Sequence, residues 1–542
     1  MRYLIFILVL FCHKCIAAII PSELSSALPI RNEGWNRILS TSDSFTVLIH
    51  FQENSAELTV ITFDKNHKLH ATKKDHCKLF NPHAVNAIRG FYEIHKEAVL
   101  FIEQRIDNKN VLLRLRINIY SGVLIEETTL MVSQLFSYNT YTVLKWNDLC
   151  YVVTMCINDQ HNDTVKIFKY SDDYKLIKTY APNFDNIDFD NINSLNAEID
   201  RSGEVCFCIM LSKKQPFDKQ KNLKKISYYD IYQRVERYKA IYKSWKDDKY
   251  ENYDNALYTY LLDKKRDEFI QTRFKLPENI YPFYTHFIYD SSAGQLKLLL
   301  TSSKVFYYQI AKTSSINSDY HSYLINIDFR KNDFTINPVF VNDSSSGANT
   351  LPLAFSGSCS SPYVISEEDV FVDAHGYLGN IIISGFANQR PTVSLPITQK
   401  LNALIFPANL INKHSSVMLN KEFLTQEYIN QYASFDYFNA NSSLYIIYND
   451  YPDNFKRSRD SIIPVFQNYF NNPFEETDLF VYKVNDDGRV FKQRIFDHLS
   501  NDETISGMIQ CGCFDDKTNT YATVVLHKNG KKMNLQIAWI KL

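Results

Sequence analysis

TVKIFKYSDDYKLIKTY (164–180) and DLFVYKVNDDGRVFKQRIF (478–496) superpose without a gap. Val165, Ile167, Leu176 and Ile177 fall on Leu479, Val481, Val490 and Phe491. Asp172-Asp173 fall on Asp486-Asp487, and Lys169 and Lys178 fall on Lys483 and Lys492. Apolar and polar residues alternate on either side of an acidic turn. That is the pattern of a half-buried strand, a reversal built on Asp, and a returning strand.

Looser copies occur at ELTVITFDKNHKLHATK (57–73), LRLRINIYSGVLIEET (113–128), LYTYLLDKKRDEFIQTRF (257–274) and YLINIDFRKNDFTINPVF (323–340). The first apolar residue after each turn gives the series Leu69, Leu124, Leu176, Phe269, Phe334 and Val490, with gaps of 55, 52, 93, 65 and 156. An insertion over 213–255 accounts for the excess in the 93-residue gap, and the 156-residue gap has room for one or two further units. Apolar stretches precede several copies: VLFIEQ, LCYVVTMCI, VCFCIML and SLYIIYND. A unit of about 50 residues with roughly four strands predicts a β-propeller blade. The expectation is an all-β propeller of about seven blades, with six to eight allowed and one inserted amphipathic helix. The alternative is a β-sandwich pair or a solenoid, but a sandwich gives no reason for such a repeat.

In this general form the chain resembles secreted β-propeller proteins. The resemblance is one of architecture. No Gly-His…Trp-Asp pairing, double-glycine element or S-x-D-x-G-x-T-W box is present, so it transfers no functional residue. Three C-terminal strands, MIQCGCF, TYATVVLHK and MNLQIAWIKL, lack a fourth, and the segment Trp35–Ser40 is expected to supply it and latch the ring.

The chain's 542 residues carry 59 basic and 60 acidic side chains and are 45 % hydrophobic, enough to bury a core. The balanced charge gives no overall field for nucleic acid. Glycine is scarce, 14 residues, whereas Tyr and Phe number 36 and 37. The turns must therefore run on Asp, Asn and Lys.

Residues 1–18 read as a secretory signal peptide: Arg2, an apolar run from Tyr3 to Cys12, then Ala17 and Ala18. The remainder, 19–542, is expected to be a single exported domain, in the periplasm, at the cell surface or secreted, with no integral membrane segment after cleavage. Eight cysteines follow the signal, an even number that permits local disulfides. Cys206/Cys208 and Cys511/Cys513 are spaced to share a strand face.

The insertion 213–255 carries 12 Lys/Arg and 7 Asp/Glu. Within it, Ser227–Lys246 places Ile231, Val235, Tyr238, Tyr242 and Trp245 on one helix face. Tyr238, Tyr242 and Trp245 are the candidate partner-binding stripe, the alternative being a stripe buried against the chain's own blade. Asn420–Tyr432 is a weaker helix candidate. In SLYIIYNDYPDNFKRSRD (443–460), Asn449, Asp450, Tyr451 and Arg457 are the candidate ligand contacts. Against this, Asn and Asp at a strand end also satisfy turn backbone groups.

Asp185, Asp188 and Asp190 lack the order of a calcium loop. His67 and His70 are expected on opposite strand faces, Asp373 and His375 have no accompanying nucleophile motif, and no metal or cofactor is assigned. A glycosidase needs only two carboxylates about 5–10 Å apart, so the missing motifs disfavour an enzyme without removing it. The expected function is an exported module that binds an unknown protein or glycan ligand. The alternative is a propeller enzyme acting on an extracellular glycan or peptide through paired carboxylates.

Overall fold

The computed structural model describes residues 20–30, 34–52, 55–106, 109–134, 141–147, 149–156, 164–182, 192–199, 203, 205–211, 256–263, 266–276, 282–290, 294–303, 320–341, 351–352, 363–365, 368–378, 382–384, 392–394, 397–407, 415–425, 435–441, 443–456, 465–467, 476–485, 490–496 and 503–542. These form eight sheets of four or five strands and one two-stranded ribbon. Sheets 1 to 5 follow along the chain at 35–76, 85–134, 141–180, 192–275 and 282–341, and sheets 6 and 7 at 363–425 and 435–494. Nearly every pairing is antiparallel between strands consecutive in sequence.

The repeated stretches are one structural element. All six are the hairpin joining the third and fourth strands of a sheet, in sheets 1 to 5 and sheet 7. The 156-residue gap holds sheet 6, whose hairpin Ile397–Pro407 and Ser415–Thr425 carries no acidic reversal like the others. Residues Asn420–Thr425 are therefore strand, and the helix expected at Asn420–Tyr432 does not begin there. Pairing with Ile397–Thr398 and their neighbours overrides the local apolar spacing.

The first strands of successive sheets touch one another: Trp35–Ser40 with Val85–Ile94, that strand with Tyr141–Trp146, then Ile192–Ile199, then Pro282–Asp290. The core is correspondingly divided into wedges, each filled from two adjacent sheets. Val47, Ile49 and Phe51 of sheet 1 meet Leu100, Leu113 and Leu115 of sheet 2. Phe101 and Leu112 meet Tyr141 and Val152 of sheet 3, and Tyr151 and Ile167 meet Tyr258 and Tyr260 of sheet 4. Cys206 and Leu257 meet Leu298 and Ile325 of sheet 5. Radial sheets with inner first strands and interfacial cores are a β-propeller. Burying each aliphatic or aromatic side chain in such a wedge contributes about 1.5–3 kcal/mol.

Sheet 8 brings the two ends of the chain together. Glu503–Gly507 and Cys513–Asp515 form its inner strand, interrupted by a one-turn 3-10 helix at Ile509–Cys511, and Thr520–Asn529 and Lys532–Lys541 follow. Ser22–Leu24 is the outer strand, pairing Ser22 with Ile540 and Leu24 with Ala538. The latch is thus Ser22–Leu24, and Trp35–Ser40 is instead the inner strand of sheet 1. Trp35–Ser40 has the apolar content of a buried strand, whereas the latch needs only backbone pairing on a rim. Sheet 8 packs on sheet 7 through Tyr521, Ala538 and Ile540, and on sheet 1 through Val524, Ile537 and Trp539. Trp539 Nε1 donates to Thr46 Oγ1 at 3.0 Å.

Cys77, Cys150, Cys206, Cys511 and Cys513 are free thiols, so no disulfide forms among the described cysteines. Burial pushes the thiols of Cys77 and Cys150 up to about 12. Cys511 lies in the 3-10 turn and Cys513 begins the next strand, so that pair does not share a strand face. The segments Ser227–Lys246 and 183–191 lie outside the described residues. No described helix is long and apolar enough to cross a membrane.

Candidate functional site

In a four-stranded antiparallel sheet, the first-to-second and third-to-fourth connections emerge on one face of the ring. The second-to-third connections and the crossings to the next sheet emerge on the other. Here the two faces differ sharply. On the first face, connections run from two residues (95–96) to seven (408–414). On the second, they include 181–191, 212–255, 304–319, 379–396 and 451–477.

The short-turn face is specified residue by residue. Among the described residues, all ten non-glycine residues with positive φ lie in its turns: Ser44, His67, His95, Lys96, Asn147, Tyr174, Asp267, Asn332, Asn441 and Asn519. Asn and Asp tolerate that backbone best among residues with a Cβ. The first residue of several turns accepts backbone N–H groups further on. Asp64 Oδ1 accepts from Asn66 and Lys68 at 2.8 and 2.9 Å, and Asn118 Oδ1 accepts from Tyr120 and Ser121 at 3.0 and 2.9 Å. Asp328 repeats the arrangement with Arg330 and Lys331 at 3.0 and 3.2 Å.

Several turns are also tied to the neighbouring sheet. Tyr120 donates to Asp43 at 2.8 Å, Ser42 Oγ to Glu93 at 2.6 Å, and Tyr174 to Glu97 at 2.7 Å. Lys178 and Tyr180 donate to Asp267 at 2.6 and 2.7 Å. Arg116 forks onto Glu97 at 2.7 and 2.9 Å and also reaches Glu126, while Arg114 donates to Glu126 at 3.0 Å. The hydrogen bond from Thr128 and those from both arginines hold the Glu126 carboxyl down to about 2. His67 and Glu23 extend these ties to sheet 8 at 2.8 Å, with His67 stacked on Trp539 at 4.3 Å.

The candidate ligand contacts lie on the other face, where Ser443–Asp450 leaves sheet 7. Asn449 is 1 % exposed, donating to Gly507 O at 2.7 Å and accepting from Gly507 N at 2.8 Å. It therefore joins sheet 7 to the inner strand of sheet 8. Asp450 is fully buried; its Oδ1 accepts from Tyr451 N at 2.9 Å and Asn454 Nδ2 at 2.7 Å. Its Oδ2 accepts from Lys492 Nζ at 3.2 Å. Tyr451 is half-buried against the sheet 8–sheet 1 wedge, and Arg457, Tyr238, Tyr242 and Trp245 lie outside the described residues. Of the ligand candidates, the structure brings Asn449, Asp450 and Tyr451 to one strand end. The first two serve the root of the connection.

Sequence reasoning missed three partners there. Asp478 stands directly opposite Asp450 across the strands, which puts their Cβ atoms about 5 Å apart. Asp478 accepts from Arg494 and, at 2.9 Å, from Ile505 N. Lys492 lies within 5.2–5.9 Å of the rings of Phe480, Tyr482 and Tyr448. Burial lowers the Lys492 ammonium and Asp450 opposes that shift. Two buried carboxylates thus stand side by side, each with its own cation, and every carboxylate oxygen has a donor. The available signal was the alignment of Lys178 with Lys492: equivalent lysines bind Asp267 across sheets and Asp450 within one sheet.

Other titratable groups also have structural partners. His67 sits in the turn and not on the strand, and His70 meets Phe45 edge-on at 5.4 Å. His50, fully inside sheet 1, shares a 2.9 Å hydrogen bond with Asn36, and burial lowers its imidazole to about 4. Among the described residues, no three His, Cys, Asp or Glu side chains gather as a metal set.

No family model matches the chain. No curated protein matches it either. Among solved structures it is similar to the polysaccharide lyase Uly1, with TM-score 0.40, 9 % identity, 87 % of this chain and 93 % of that one covered. It is also similar to the WD40 domain of SCAP from fission yeast, with TM-score 0.35, 7 % identity and coverage of 96 % and 98 %. A third is the β-propeller domain of the Trilobed protease from Pyrococcus furiosus, with TM-score 0.32, 9 % identity and coverage of 84 % and 93 %.

Proposed function

We propose that the chain is an exported β-propeller module that binds a protein or glycan ligand on its long-connection face. The observation that supports this reading is the contrast between the faces: one is built of short, stapled turns, and the other gathers every connection longer than seven residues. Long connections on a rigid scaffold are where recognition side chains are placed. In this reading Tyr451 and Arg457 contact the ligand, Asn449 and Asp450 hold the strand end from which they emerge, and the stripe Tyr238, Tyr242 and Trp245 meets a partner. Export follows from the signal-like residues 1–18.

The test is binding on glycan and peptide arrays, followed by analysis of the bound material. Retention without turnover supports a binding module. Hydrolysis of a labelled polysaccharide or peptide panel overturns it in favour of the enzyme reading. One observation favours that second reading: Asp450 and Asp478 are a cross-strand carboxylate pair. Their saturation by Lys492, Arg494, Asn454 and backbone N–H groups opposes it, because a general acid must hold a proton and reach substrate. Turnover lost in Asp478→Asn but retained in an equally stable Asp267→Asn chain would identify that pair as catalytic.

A further inference from the structure

The strand that closes the ring, Ser22–Leu24, is only three residues long, and histidines act on it from both sides. Glu23 is the register partner of Trp539, whose side chain packs towards sheet 1. On that side the Glu23 carboxylate meets His67 Nδ1 at 2.8 Å. His527 and Gln536 lie two residues from Val525 and Ala538, which pack towards sheet 7, and so share that opposite side. There His527 Nε2 stands 2.7 Å from Glu503 Oε1, and its Nδ1 stands 2.7 Å from Gln536 Oε1. Gln536 Nε2 in turn donates to Ser25 O, one residue past the closing strand. Ser25 is fixed on Ile537: its N–H donates to Ile537 O and its Oγ accepts from Ile537 N, both at 2.9 Å.

A neutral imidazole carries a single N–H. Both ring nitrogens of His527 face oxygens that can only accept, so only the imidazolium satisfies Glu503 and Gln536 together. Without the second proton, the remaining N–H goes to the carboxylate, the stronger acceptor. The Nδ1 lone pair then faces Gln536 Oε1 across 2.7 Å. Turning the Gln536 amide relieves that contact only by setting its oxygen against Ser25 O, which gives up the hydrogen bond to the closing segment. A proton on His527 is thus read at Ser25 through one amide. His67 acts more directly, since its contact with Glu23 is an ion pair only while the ring is charged. A charged ring also gains from lying flat on Trp539.

We infer that His67 and His527 make the closing strand a pH-sensitive latch, held shut while both imidazoles are protonated and loosened as they lose their protons. The closed latch favours the protonated rings, so its hold is full in acid and falls as pH rises through the range where imidazoles titrate. The other charges around His527 are Asp478 and Arg494, paired with each other where Asp478 reaches Ile505 N, and Lys528 and Lys532 at the far end of its hairpin. Around His67 they are Asp64, Lys65 and Lys68 of its own turn, and His70, whose ring meets Phe45. Carboxylates and lysines ordinarily keep their charge between pH 6 and 8. The sign is opposite to that of His50, whose buried neutral ring is lost to acid.

The experiment is hydrogen exchange of the full chain at about pH 6 and about pH 8, corrected for the intrinsic effect of pH on exchange and read by mass spectrometry. The reporters are the amides of Ser25, Ile537 and Lys541, which bond across the latch. Their protection should fall about threefold from the lower to the higher pH, the size that partly exposed ion pairs carry. The turn amides at 118–123, away from sheet 8, should keep theirs. In His67→Gln/His527→Gln the latch should be equally loose at both values. Each single variant, which keeps one histidine, should show a reduced pH response, so the test stands even where the double variant fails to fold. Gln536→Leu leaves His527 on Glu503 yet should remove its share of the response. Equal protection of the native latch at the two pH values overturns the proposal. So does a response that survives undiminished in both single variants, or one spread evenly over the whole chain.

Discussion

The two faces of the ring are stabilised in opposite ways. The short-turn face holds many exposed contacts, each joining one hairpin to the next sheet, such as Lys178 with Asp267 and Tyr120 with Asp43. At sheet 7 the long-connection face instead has one deeply buried polar hub, Asp450 with Lys492, Asn454 and Tyr451 N. Distributed exposed pairs lose little when one fails, whereas a buried charge fails as a unit. The difference separates a base that stays rigid by redundancy from a face whose connections vary above a few fixed roots.

The hub is where the comparison is most easily broken. Lys492→Met leaves the Asp450 carboxylate buried without its cation, and about 3–5 kcal/mol of stability should be lost. Denaturant midpoints check this, and a loss below about 1 kcal/mol would show that the strand end tolerates water and that the two faces are alike. Gly203→Ala tests the opposite face. Gly203 has φ +81, and a Cβ there would lie 2.2 Å from the Trp146 ring. Strain and overpacking together should cost about 2–3 kcal/mol, read as a lowered Tm. A near-neutral result would mean that the turn can shift without disturbing the sheet 3–sheet 4 wedge.

How far the sequence revealed this division depends on range. The hairpins were legible because alternation and Asp-initiated turns are local properties, and residues 164–180 contain both. Scarce glycine was a correct guide to turns such as those at His67, Asn332 and Asn519, where residues with a Cβ adopt positive φ. The latch was misassigned because Ser22–Leu24 is three residues with no apolar alternation; its place depends on the partner strand Lys532–Lys541, far away in sequence. Asn449 and Asp450 were found as residues at a strand end. Asp478, Lys492 and Arg494 were not, since charges in a strand look solvated until the 3-10 turn Pro452–Lys456 lies beside Val490–Arg494.

The interior of sheet 1 gives a pH test between those extremes. Burial lowers His50 to about 4 from an ordinary 6.5, so the unfolded chain binds the extra proton between those values. Stability from the neutral buried imidazole is full above about pH 6.5 and is lost as pH falls towards 4, by about 2–3 kcal/mol. Glu126, held near 2, contributes in a lower window, as pH falls from 4.5 towards 2. Urea midpoints at pH 7, 5.5 and 4.5 should therefore fall in the native chain and fall less steeply in His50→Gln. Equal slopes in the two chains would assign acid sensitivity to carboxylates.

The smallest expected effect is the most informative about redundancy. Asp267 accepts from both Lys178 and Tyr180, and those donors hold its carboxyl below the usual range, yet its side chain remains half exposed. Solvent screens such a pair, so Asp267→Asn should cost about 0.5 kcal/mol and Lys178→Met no more. Their double-mutant coupling should be of the same size. Hydrogen exchange would then quicken at 171–175 and 266–267 while the turns of sheets 1 and 2 keep their protection, because Asp43, Glu93 and Glu97 still hold them. Should the single substitution instead loosen the turns of sheets 1 and 2 as well, the contacts would be cooperative, like the buried hub, and the short-turn face would owe its rigidity to the linked set.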